Sequence, residues 1–418
     1  MTYSILAPTR YPWTFNGPRA SRHSITRRAF APFGKLSEYL EGVTIMNPFP
    51  IKRFDLVHAF NRIPLGTTPF VIGFESHLPR VINREDGKAF ALQTRLLLSD
   101  RCRAIIPFSK IAERWFRRVH GQSSFWPELE AKLYMRYPNV PVFHGQDALQ
   151  EEAALREQDA LQEQDHGPVR LAFVGSHFGR KGGCVAVRIA ELALQRNRDI
   201  EVTIVSNLTV GGSVWTDPTR PEFFDRYRAL LDLPNVTLFR QLPNDEVVDL
   251  LRRSHFTLLP TFGDTFGFTA IESMMSCTPV IATDQGALPE FIVDDENGIL
   301  LDLETTEFGS WVESHKKDRS SAAFERRFTD EVDRLAEEAL DRITRLLSSP
   351  REYFAMRRSA HETAVTMFGA EDASRFWDSL YEVAIAKQDA LERREAMRAL
   401  SVPQPALHRN PLSQRHSR

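Results

Sequence analysis

Cysteine is scarce in this chain. Cys102, Cys184 and Cys277 are the only three in 418 residues, widely spaced and without a CxxC pair. That spacing suggests neither a disulfide framework nor a zinc site. Long apolar runs are missing as well: none reaches the eighteen or so residues that a membrane-spanning helix requires. The opening MTYSILAPTRYPW has no basic segment followed by an apolar core, so no signal peptide is expected. These absences lead to the expectation of a soluble protein in a reducing, cytoplasmic setting.

An excess of one charge is also lacking overall, the formal net charge being −2. The balance conceals an asymmetry, because residues 1–145 carry 21 Lys+Arg against 10 Asp+Glu. A basic first half attracts anions such as phospholipid headgroups or a pyrophosphate-linked acceptor. Its basic residues are scattered and no nucleic-acid-reading motif is present, so nucleic acid is not an expected partner. Within this half, KIAERWFRRVHG mixes Trp115 and Phe116 with Arg114, Arg117 and Arg118. That composition fits a scaffold helix with snorkelling arginines, the favoured reading, and leaves peripheral contact with a membrane surface open.

What is present is an alternation of strands and helices. FDLVHAF (54–60), PFVIGF (69–74), RAIIPF (103–108) and KLYMRY (132–137) read as short strands, and Ser109 is a candidate cap for the helix 110–119. VRLAFVG (169–175), VTIVSN (202–207), VTLFRQL (236–242), FTLLPT (256–261) and TPVIAT (278–283) form a second series. Buried apolar strands alternating with helices predict an α/β protein with two doubly wound parallel sheets. Between the series lies an acidic, Ala/Gln-rich stretch in which QDALQE occurs at Gln146 and again at Gln158. The expected organisation is a first domain over 1–145, a charged linker over 146–167, a second domain over 168–365, a closing helical segment over 366–388 and a disordered tail over 389–418.

The densest chemistry is in LLPTFGDTFGFTAIE, residues 258–272. Asp264 falls on the loop after an apolar strand. Glu272 lies about five residues into the following helix, roughly 7 Å along its axis. Between them the amides of Gly267, Phe268 and Thr269 form a helix N-terminus, which suits a phosphate group. Ionised carboxylates accept hydrogen bonds from vicinal hydroxyl pairs, so two acids flanking a phosphate site suit a sugar and a ribose.

The segment PTFGDTFGFTAIESMMSCTPVIATDQGALPEFIVDDENGILLD resembles the donor-site signature of family-4 (group 1) retaining glycosyltransferases of the GT-B fold. Glu272, Pro279-Val280, Gly286, Pro289-Glu290 and Asn297-Gly298 fall in the family's order, and Asp264 stands where the family has a Glu. The resemblance covers most of residues 54–386; residues 1–50 match poorly. It implies two Rossmann-like domains facing a central cleft, with a helical C-terminal segment crossing back to the first.

The resemblance also implies roles. Asp264 would hold donor-sugar hydroxyls and Glu272 the ribose diol, with Phe266, Gly267, Phe268 and Thr269 lining the diphosphate site. In VRLAFVGSHFGRKGG, Lys181 matches the family lysine that neutralises the pyrophosphate. Ser176 replaces the family arginine, and Arg180 is a candidate to supply the missing charge. His77, after the second apolar strand, would face the donor sugar, with Glu75 close enough to orient it or to bind acceptor. Arg240 or Gln241 stands where the family glycine meets the nucleobase, leaving uracil and guanine both open. Gly17, Arg19 and Ser21 are the candidates for the first-domain loop, and His58 reads as structural. No metal or cofactor is implied; fixed cations and helix amides would stabilise the leaving diphosphate.

The function so implied is transfer of a sugar from a UDP- or GDP-sugar to a hydroxyl acceptor, a glycan or lipid-linked glycan, with retention of configuration. The alternatives are a nucleotide-sugar-binding GT-B partner with weakened catalysis and a sugar-nucleotide epimerase.

Overall fold

Short apolar, often β-branched segments pair side by side in both halves of the chain. A computed structural model describes residues 1–9, 13–46, 53–81, 87–141, 167–212, 214–386 and 395–396. The linker 146–167 apart from residue 167, and the tail 389–418 apart from 395–396, lie outside the described residues. The chain divides into two units: Met1–Val142 with Met367–Pro405, and Phe143–Thr366 with Ala406–Arg418.

In the first unit the strands are β1 (Ser4–Pro8), β2 (Ser24–Arg28), β3 (Phe30–Pro32), β4 (Val43–Met46), β5 (Leu56–Phe60), β6 (Ile63–Pro64), β7 (Phe70–Phe74) and β8 (Cys102–Pro107). Its main sheet has the order β2-β1-β5-β7-β8, with every pair parallel. This is a doubly wound order whose direction reverses between β1 and β5. A small sheet, β3-β4-β6, stands apart from it. The unit's core gathers Ile5, Leu56, Val71 and Ile106 with Trp377 and Tyr381 from the helix Ala370–Ile385. The helix Ala370–Ile385 is thus part of the first unit.

His58 sits inside this core, fully buried, and shares a 2.7 Å hydrogen bond between Nδ1 and the Tyr381 hydroxyl. Burial pushes its pKa down to about 3. The helix Lys110–His120 is capped by Ser109, whose hydroxyl accepts from the Ala112 amide at 3.1 Å. It buries Ile111, Ala112, Phe116 and His120, while Arg117 pairs with Glu113 and Glu130. These contacts are those of a scaffold helix. The segment 132–137 does not form the expected strand: it meets β8 through a single bridge, Ile105 to Leu133. Its Lys132 is drawn off to the carbonyls of Leu97, Leu98 and Ser99, each 2.9 Å away, at the end of the helix Lys88–Leu98. β1 and β2 lie in the stretch that gave no strand signal. β2 is an edge strand without a buried residue, so it carries no apolar run to read.

In the second unit the strands are β9 (Val169–Val174), β10 (Ile200–Val205), β11 (Val236–Phe239), β12 (Phe256–Leu259), β13 (Val280–Thr283) and β14 (Gly298–Leu301). They form one parallel sheet of order β11-β10-β9-β12-β13-β14. The order reverses between β9 and β12, which opens a crevice at the carboxyl ends of those two strands. The helices Gly183–Gln195 and Ala322–Leu347 cover the sheet through Val185, Ile189, Phe328 and Leu335, all fully buried.

Candidate nucleotide-sugar site

The loops at the β9–β12 switch point hold most of the residues singled out by sequence. After β9, the Lys181 amide donates to the His177 carbonyl at 2.9 Å, curling the loop into the helix Gly183–Gln195. The Arg180 carbonyl accepts from the Phe262 amide (2.8 Å) and the Thr261 hydroxyl (2.9 Å). The post-β9 and post-β12 loops are therefore stitched together by backbone, which sets Arg180 and Lys181 beside Gly263 and Asp264.

Lys181 Nζ donates to Asp264 Oδ2, and the two side chains retain only 19% and 9% exposure. Burial alone would raise the pKa of Asp264. Lys181, Arg180 and the Phe266 amide outweigh it and hold the carboxyl below its usual value. The Arg180 guanidinium donates to the Gly263 carbonyl and lies 5.0 Å over the Trp215 ring. Arg180 and Lys181 in turn press the pKa of the nearby His177 down, behind the larger effect of burial.

The helix Phe268–Met275 begins at Gly267, whose φ of +90° is one that glycine adopts without strain. No side chain caps this N-terminus. Ile271, Ser273, Met274 and Met275 are buried, whereas Phe268, Thr269 and Glu272 are half-buried. Phe266 differs from a ligand-lining side chain: its ring is fully buried against Phe268 (5.5 Å) and Phe291 (5.3 Å), and its amide serves Asp264.

The remaining candidates are placed elsewhere. Gln241 is exposed just beyond β11, the edge strand of the second-unit sheet. The Ser176 hydroxyl accepts from Asn207 at 2.9 Å. His77 belongs to the first unit, on the loop after β7, with its ring 4.7 Å from Trp115. Glu75 accepts from Asn61 at 3.1 Å and faces Arg80 at 3.7 Å. Arg19 is anchored on Asn139 and Ser21 on Asp378, which gives both structural work. Among the described residues no group of three His, Cys, Asp or Glu side chains is arranged to hold a metal ion. Nor is any helix among them long and apolar enough to cross a membrane.

Sequence reasoning missed two members of this neighbourhood. Gln285, after β13, bonds both backbone groups of Asp264. Asp217 is fully buried on the irregular segment after β10, where it accepts from the Gly211 amide and the Thr216 hydroxyl at 3.1 Å each. Burial pushes its carboxyl up to about 7 despite these bonds and the nearby Arg180 and Arg319.

A doubly wound sheet with cations and an uncapped helix N-terminus at its switch point defines a nucleotide-binding α/β unit. Residues 168–313 match the family model described as glycosyl transferases group 1. The chain is similar to D-inositol 3-phosphate glycosyltransferases: 32% identical over 133 residues to that of Corynebacterium kroppenstedtii, covering 32% of this chain and 29% of the relative. The match to the Acidothermus cellulolyticus protein is also 32% over 133 residues, covering 32% of this chain and 30% of the relative. The aligned part is thus less than a third of those relatives' length.

Among solved structures, a glycosyltransferase from Rickettsia africae aligns at 13% identity with a TM-score of 0.60, over 93% of this chain and 100% of that one. Anabaena HepE in complex with UDP aligns at 12% identity with a TM-score of 0.53, over 90% and 98%. The fold is GT-B, and residues 168–313 are similar to the group 1 glycosyltransferases.

Proposed function

We propose that the protein transfers a sugar from a nucleoside-diphosphate sugar to a hydroxyl acceptor with retention of configuration. The observation that carries this reading is the Lys181–Asp264 pair beside the uncapped helix at Gly267, with Glu272 one turn further in. Lys181, Arg180 and the amides of Gly267–Thr269 take the diphosphate, whose charge grows as the glycosidic bond breaks. Asp264 holds sugar hydroxyls and Glu272 the ribose diol. Gln241 meets the nucleobase. The acceptor hydroxyl attacks from the leaving-group side, and the departing phosphate takes its proton. The complex of Anabaena HepE with UDP supports a nucleoside-diphosphate donor, and the group 1 relatives support transfer to a hydroxyl.

The decisive experiment is a thermal-shift screen against UDP- and GDP-sugars, followed by NMR of the product's anomeric configuration with the stabilising donor. A rise of a few degrees with one donor names the base. An inverted product, or no stabilisation by any donor at millimolar concentration, refutes the assignment. Ser176 in place of the family arginine favours one second reading, a donor-binding GT-B partner without transfer. That protein would bind donor tightly and leave every acceptor unmodified.

A further inference from the structure

Asp264 is one methylene shorter in reach than the glutamate of the family it resembles, so its placement depends on the backbone that carries it. That backbone is held from one side. Gln285 is 4% exposed, and its side-chain amide bonds twice to a single residue. Nε2 donates to the Asp264 carbonyl at 3.1 Å, and Oε1 accepts from the Asp264 amide at 2.8 Å. The pair of bonds imitates one rung of a β-ladder, made by a side chain instead of a strand.

The loops carrying the two residues meet at further points. The Thr283 hydroxyl donates to the Thr261 carbonyl at 2.5 Å. Gly286, at φ +59°, approaches so closely that a Cβ would lie 2.4 Å from the Asp264 carbonyl oxygen. Gln285 is itself anchored through its amide to the Thr283 carbonyl (2.8 Å), and its carbonyl accepts from Leu288 (3.2 Å). A fixed post-β13 loop thus grips the Asp264 backbone, while Lys181 and the Phe266 amide hold its carboxylate.

We propose that Gln285 is a positioning residue for Asp264: its amide fixes where the carboxylate meets the donor sugar, without touching donor itself. The inference rests on the reading of the site as a nucleotide-sugar site. It assigns the sugar half of that site, and not the diphosphate half, to the post-β13 loop. The diphosphate contacts come from Lys181, Arg180 and the helix amides, none of which Gln285 bonds.

The test compares wild type with Gln285→Ala, Gln285→Met and Gln285→Glu, measuring kcat for transfer and the Kd for UDP or GDP alone. Misplacement on the scale of 1 Å costs on the order of a hundredfold in rate. The expected result is therefore a kcat lower by about tenfold to a hundredfold, with nucleoside-diphosphate Kd unchanged within about twofold. Gln285→Glu keeps the shape and loses the donor. Its kcat should recover relative to Gln285→Met as the pH falls and its carboxyl regains a proton, a recovery that a purely structural role would not produce. Should Gln285→Ala fail to fold, the two isosteric variants decide.

Gln285 variants that keep wild-type kcat, or that lose nucleoside-diphosphate affinity in step with kcat, overturn the proposal. A wild-type protein that binds no nucleoside diphosphate fails earlier, and sinks the functional reading instead.

Discussion

Lys181 and Asp264, 83 residues apart in sequence, form an ion pair that is largely out of water. Removing one member of such a pair strands the other as an uncompensated buried charge, at a cost of about 3–5 kcal/mol. Lys181→Met should therefore destabilise the second unit by about that amount, and Lys181→Met/Asp264→Asn should recover most of the loss. Chemical denaturation of the three proteins measures it. Transfer activity should remain lost in the double variant, which separates the pair's structural work from its proposed contact with diphosphate. Because the Asp264 carboxyl is held below its usual value, its contribution is present above the unfolded value of 3.8 and is lost as pH falls through the folded value.

Glu272 is half-buried on a helix whose other face is packed, so its substitution should spare the fold. Glu272→Ala should raise the donor Kd by roughly tenfold to a hundredfold, the loss of a charge-assisted hydrogen-bond pair, and leave the melting temperature within about 2 °C. Isothermal titration with the stabilising donor, paired with a melt, checks both. Donor turnover by Glu272→Ala at the wild-type rate would remove the ribose role.

Asp217 offers a test that needs no substrate. Its folded pKa is raised to about 7 from 3.8, so it stays protonated in the folded state where the unfolded chain ionises. Stability from this group falls as pH rises from 3.8 to about 7 and is flat above. Asp217→Asn removes that dependence. The variant's stability relative to wild type should therefore improve by about 3 kcal/mol between pH 5 and pH 8, read from urea midpoints at the two values. A constant difference would show Asp217 ionised throughout.

His58 gives the opposite slope in the first unit. Its folded pKa of about 3 lies below the ordinary 6.5, so the unfolded chain binds a proton that the folded one refuses. Stability present above pH 6.5 is lost as pH falls toward 3, by up to about 3 kcal/mol at pH 4. His58→Phe keeps a ring beside Trp377, whose centroid lies 4.3 Å from that of His58 at a tilt of 33°, and should flatten this acid limb in a pH series of melts.

Much of the second unit was legible because its central strands are buried on both faces. VRLAFV, FTLL and VIAT are mostly apolar runs, and the turn after FTLL placed Asp264 and Glu272 correctly on loop and helix. The same reasoning failed where no period exists. β2 exposes both faces, and 132–137 looked apolar enough for a strand while its lysine served a helix end. Gln285 and Asp217 left no trace in sequence because they act across 21 residues of chain or within an irregular loop. Side-chain bonds to distant backbone have no spacing rule. The buried ring of Phe266 was not legible, since its amide and its side chain face different tasks.

Trp377 and Tyr381, which complete the core around Ile5 and Leu56, lie near the end of the described chain. A ribosome releases them only after Phe143–Thr366 of the second unit has been made. Synthesis ordinarily lets the N-terminal domain fold first. In this protein the domain begun first is sealed last, and its apolar sheet face awaits residues that emerge some 370 positions later.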